Sequence, residues 1–130
     1  MNATTERWKI EMHGGGSRHQ WREVAQAKPR QAGTQAQILI DRAKQGGVRV
    51  LNADGVIVNA WWRRHAPGAR PQAIAFCIGC GCDDLHACID PDAGGSCSWL
   101  VKEGSVGVCS CCVEAMHRWN EGDRALKVKA

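Results

Sequence analysis

No apolar run in this 130-residue chain approaches the roughly 18 residues that a membrane-spanning helix needs, so no span is expected. The opening residues, Met1-Asn2-Ala3-Thr4-Thr5-Glu6-Arg7, are polar and charged and lack the apolar core of a secretory signal. The expectation is a cytoplasmic protein, in a compartment that keeps thiols reduced. Cysteine is absent from residues 1–76, and all eight cysteines fall between positions 77 and 112. Small buried hydrophobes would not be confined in this way, and a disulfide framework belongs to exported chains.

Catalytic motifs are missing as well. None of His13, His19, His65, His86 or His117 is followed two residues later by Glu, which removes the zinc deaminase pattern. There is no Gly-x-Ser-x-Gly, His-Glu-x-x-His or Rossmann glycine pattern. The triple glycine at 14–16 is not followed by the Gly-Lys-Ser/Thr of a phosphate loop and is read as a turn. The expected protein is therefore not an enzyme.

What is present divides the chain. Trp8, Ile10 and Met12 alternate with Lys9 and Glu11, the period-two pattern of a strand with one buried face, and Trp21–Ala25 is a weaker second strand. Thr34 with Gln37 resembles a capping box, placing a helix at about 35–45 that ends at Gly46-Gly47. Val48–Leu51 and Val56–Trp62 flank Asn52-Ala53-Asp54-Gly55 and read as a β-hairpin. The predicted fold class is α+β: a small N-terminal sheet with one helix and a β-hairpin over 1–66, then a Pro/Gly/Arg linker over 67–75. A treble-clef-like, metal-stabilised module follows over 76–130.

Cys77-Ile78-Gly79-Cys80-Gly81 has the spacing of a zinc knuckle, in which a two-residue gap lets both sulfurs face one ion and glycines permit the tight turn. Cys109-Ser110-Cys111-Cys112 supplies a second pair, ahead of Val113, Met116 and Trp119 at helical spacing and a stop at Gly122. The primary ligand set is Cys77, Cys80, Cys109 and Cys112. The 28 residues between Cys80 and Cys109 exceed the roughly 15–20 of a simple four-cysteine module. That insertion holds Cys82, Cys88 and Cys97, which with His86 form a possible second site of the Cys3His type. Sharing of ligands between two ions is a further possibility. His86, beside Asp83 and Asp84, reads more readily as an ordinary surface histidine, and Cys111 points away from the site. Zinc, one or two ions, is the expected cofactor. An iron-sulfur cluster suits the same thiolates, although Cys-x2-Cys-x-Cys-x5-Cys follows neither ferredoxin pattern.

The run Cys77-Ile-Gly-Cys80-Gly-Cys82-Asp-Asp-Leu-His-Ala-Cys88, with Cys97-Ser-Trp99 and Val108-Cys109-Ser-Cys-Cys112, resembles a cysteine-rich module of small phage and prophage proteins. The resemblance covers about residues 76–123. It implies a mobile-element context and a zinc-binding role, without an associated reaction.

Charge is uneven: residues 1–76 carry 12 Lys/Arg against 5 Asp/Glu, and residues 77–130 carry 5 against 8. A basic half suits an acidic partner. Arg63, Arg64 and Arg70 stand near Trp61, so nucleic acid is the first candidate partner, with arginine on phosphate and an indole on a base. Trp62 is in phase with Val56, Val58 and Ala60 and belongs to the core. A host or phage protein, met by an adaptor or inhibitor, is the competing partner. A thiol redox role through Cys80-Gly81-Cys82 or Cys111-Cys112 requires thiols left outside metal coordination.

Overall fold

The computed structural model describes residues 6–14, 20–43, 45–90 and 94–127, so most of the triple-glycine turn lies outside the described residues. The chain forms two compact units, Met1–Ala73 and Ile74–Ala130. Among the described residues the fold is mixed α+β, mostly sheet with two helices.

In the N-terminal unit, β1 (Trp8–His13), β2 (Arg22–Ala27), β3 (Gly46–Leu51), β4 (Ile57–Arg63) and β5 (Gln72–Ala73) form one sheet in the order β2-β1-β3-β4-β5. Every neighbouring pair is antiparallel. The alternation read in β1 is realised: Ile10 is fully buried, and Trp8 and Met12 pack against the same apolar cluster. On the other face Glu11 lies opposite Arg49 of β3, and their side chains pair at 2.8 Å.

The helix α1 (Pro29–Arg42) starts well before the expected position. Lys28 is extended and Pro29 occupies the first turn, where a missing N–H costs nothing and the ring fixes φ. Thr34 is therefore an interior residue and no cap. Ala32, Ala36 and Ile40 recur every four residues and form the buried stripe that meets Ile10, Ala27, Val48 and Val50. The helix ends at Ala43, in extended conformation, ahead of the two glycines. Its carbonyls are met from β4: Arg63 Nη1 donates to Asp41 O and Ala43 O, each at 2.9 Å.

The hairpin of β3 and β4 turns on Asn52, whose Oδ1 accepts from Asp54 N–H and Val56 N–H, with Gly55 at φ +83°. Beyond β4, residues read as a linker split between the units. The chain after Arg64 returns to place β5 beside β4, whereas Ile74 and Ala75 are buried in the second unit. The proline and glycine of that stretch make a surface loop closed by an Arg63 Nε bond to Ala69 O at 3.1 Å.

In the C-terminal unit, β6 (Phe76–Cys77), β9 (Trp99–Glu103) and β10 (Val106–Cys109) form a sheet in the order β6-β10-β9. β6 runs parallel to β10 and β9 antiparallel to it. A small ribbon pairs β7 (Ile89–Asp90) with β8 (Gly95–Ser96), and α2 (Ala115–Asn120) follows β10. Arg118 of α2 donates from Nη2 to Ile78 O at 2.9 Å and from Nη1 to Ala125 O at 3.0 Å, holding helix, knuckle and C-terminal segment together. Trp119 is buried, with the Arg124 guanidinium 3.8 Å from its ring centroid. No helix among the described residues is long and apolar enough to cross a membrane.

Candidate metal centre

The knuckle begins at the end of β6. Cys77 N–H donates to Cys82 O at 2.8 Å and Gly81 N–H to Cys77 O at 2.9 Å, which closes the chain into a loop. Gly81 sits at φ +82°, a conformation that suits glycine. Gly79 meets a different demand: a Cβ there would lie 3.0 Å from Cys112 Sγ.

Two sets of four thiols converge, each with all its sulfurs within 4.8 Å of one another: Cys77, Cys80, Cys82 and Cys109, and Cys82, Cys88, Cys97 and Cys109. These clusters can hold a metal ion. A zinc–sulfur bond of about 2.3 Å places the sulfurs of a tetrahedron about 3.8 Å apart. Cys80 and Cys109 are 3.7 Å apart and Cys82 and Cys97 3.8 Å, while Cys80 and Cys88 are closer, at 3.3 Å. Backbone amides point at the sulfurs as they do in thiolate sites: Gly79 N–H and Cys109 N–H each to Cys77 Sγ at 3.4 Å, and Cys88 N–H to Cys97 Sγ at 3.3 Å.

Of the primary set read from the sequence, Cys77, Cys80 and Cys109 fall in the first group, and its fourth member there is Cys82. Cys112 lies outside both groups but is buried and hydrogen-bonds Cys80 and Cys77, and burial pushes its thiol up. Cys82, Cys88 and Cys97 do gather, joined by Cys109. His86 belongs to neither group; its Nδ1 lies 2.9 Å from the Oδ1 of buried Asp83. Cys111 is exposed, and its Sγ contacts Ile89 O at 3.5 Å.

Thiol acidity reflects this crowding. Hydrogen bonds from Cys80 and then Cys82 hold Cys77 far below the ordinary thiol range, against the opposing effect of burial. Cys82 and Cys80 are pushed up, first because each shares a proton with Cys77. Burial raises Cys109 and Cys112, and the neighbouring charge of Cys77 adds to it. One thiolate is thus stabilised by neighbours that keep their protons. Ionising the group together calls for a cation, and soft thiolates favour zinc or iron.

Two carboxylates that motif spacing did not single out as functional shape the cysteine-rich loop. Asp83 accepts from Leu85 N–H at 2.8 Å, making a turn immediately after Cys82. Asp84 accepts from Ala75 N–H at 2.8 Å and Trp99 Nε1–H at 2.9 Å, tying the loop to the start of the unit and to β9. The sequence signal was the Asx pair directly behind a ligand cysteine.

The basic residues of the N-terminal unit part company. Arg63 is committed to the end of α1 and to Ala69, while Arg64 and Arg70 are exposed. Trp61 is half-buried against the apolar cluster and shares an open groove of about 570 Å³ with Gln37, Asp41, Arg63 and Arg70. Trp62 is buried beside His13 and Trp21. Compared with known proteins, the chain matches no family model, no curated protein and no solved structure, so its functional reading rests on this geometry.

Proposed function

We propose that this protein is a zinc-stabilised binding module in which the metal takes the place of a hydrophobic core and recognition is carried by the surrounding surface. The observation that carries the reading is the convergence of four thiols within 4.8 Å, with backbone N–H groups aimed at their sulfurs. Zinc is preferred over an iron-sulfur cluster because all four sulfurs of a set lie within 4.8 Å of one another, as ligands around one tetrahedral ion do. Several irons would spread the cysteines farther apart. A four-thiolate site leaves no coordination position for a substrate, so the metal's part is structural. The order of knuckle, β9–β10 hairpin and α2 supports a treble-clef-like arrangement, and the phage and prophage setting rests on the cysteine-run resemblance alone.

The partner proposed for the N-terminal unit is nucleic acid. Its support is the excess of basic residues before Cys77, the exposure of Arg64, and the exposure of Arg70 in the groove that Trp61 lines. Two or three phosphate contacts would make affinity for a single-stranded oligonucleotide fall about 7- to 20-fold between roughly 50 and 200 mM salt. Arg64→Ala with Arg70→Ala should remove most of that binding and its salt slope. Absent or salt-insensitive binding would sink the nucleic-acid reading. A protein partner is the second reading, favoured by exposed Leu85, Ile89, Leu100 and Val113 on the C-terminal unit.

A further inference from the structure

We propose that the cysteines hold two metal ions in one cluster, with Cys82 and Cys109 as thiolates shared between them. The inference rests on the zinc-module reading above and specifies its stoichiometry and connectivity.

Four observations carry it. The two tetrads overlap in two residues, Cys82 and Cys109, so six cysteines offer two four-coordinate positions without a further ligand. The tetrads are also in contact outside the shared pair: Cys80 of the first lies 3.3 Å from Cys88 of the second. A single ion would leave two of these six thiols outside coordination; Cys112, hydrogen-bonded to Cys80 and Cys77, lies outside both tetrads. Moreover, there is room on the second side, where a cavity of about 70 Å³ is lined by Cys82, Cys97 and Cys109 together with Asp83, Asp84 and Trp99.

The fourth observation concerns what else could hold the insertion. Leu85, Ala87 and Ile89 are exposed, Ile89 at 76% of its surface. The loop between Cys82 and Cys97 thus turns these apolar side chains outward while Cys88 and Cys97 are half-buried, with Cys97 N–H closing on Cys88 O at 2.8 Å. A segment with so little apolar burial does not offset its ordering entropy by itself. A second ion bound through Cys88 and Cys97 would supply that stabilisation directly. Thiolate sharing is chemically reasonable because a thiolate sulfur has lone pairs for two cations, and sharing lowers the negative charge gathered in a small volume.

Native mass spectrometry of the full chain, purified with zinc under reductant, is expected to show two ions per chain. Replacement by 113Cd should give two cadmium resonances, and proton–cadmium correlation should connect the β-protons of Cys82 and of Cys109 to both. The β-protons of Cys77, Cys80, Cys88 and Cys97 should each connect to one. Two ions with no doubly connected cysteine would overturn the shared cluster, as would one ion per chain with Cys88 and Cys97 alkylated as readily as Cys111. Either result would leave the zinc module standing. A metal-free chain, or one lighter by two hydrogens for each disulfide, would overturn both.

Discussion

In the N-terminal unit seven buried apolar side chains meet between a sheet and a helix, whereas in the C-terminal unit Cys77, Cys82, Cys109 and Cys112 occupy buried positions alongside Phe76, Ile78 and Val108. The first arrangement is held by burial, which is non-directional and tolerates small shifts. The second is a set of polar, ionisable groups, and its stability depends on what neutralises them. The two units thus pose different stabilisation problems, and the difference can be pulled apart by experiment.

Metal removal should have the largest effect. Structural zinc binding by small thiolate modules contributes about 10–16 kcal/mol, which is folding free energy. Chelation under reductant should therefore abolish hydrogen-exchange protection in β10 and the knuckle while protection in β1 and β3 persists; equal loss in both units would break the comparison. Acid comes next. Bound thiolates must stay deprotonated, so stability is present at neutral and higher pH and is lost as pH falls. Competition by two to four protons per ion costs about 3–5 kcal/mol per pH unit. Zinc retained by the protein, followed with a colorimetric chelator from pH 8 down to pH 5, should fall steeply over that range.

Substitutions in the N-terminal unit sharpen the contrast from the other side. Ile40→Ala deletes a fully buried side chain from the helix stripe and should cost about 2–5 kcal/mol in denaturant unfolding, with metal content unchanged. Arg63→Ala removes two donors from the carbonyl end of α1 and should cost about 1–2 kcal/mol, again without metal loss.

How much of this was legible depended on how local the cause was. The β3–β4 hairpin was readable because alternation and the Asn52–Gly55 turn lie within a few residues of each other. The start of α1 was misplaced because Thr34 and Gln37 gave a cap-like spacing, whereas Pro29 and the Ala32, Ala36, Ile40 stripe decide the start. Arg63 looked free for phosphate, but its partners are carbonyls about twenty residues earlier, which no spacing reveals. Similarly, the cysteines were recognisable as a metal cluster, yet Cys-x-x-Cys pairing did not show that Cys82 joins Cys77, Cys80 and Cys109. That grouping follows from the closed loop at Cys77–Cys82 and from the long-range bonds of Asp84 to Ala75 and Trp99.

The central claim is that thiolate-bound zinc organises residues 74–127. Its most direct test is metal analysis with an absorption spectrum on protein purified without oxygen. Zinc at one or more equivalents per chain, with no visible absorption band, is the expected result. Protein that carries no metal, or one that is coloured and contains iron and sulfide, would contradict it.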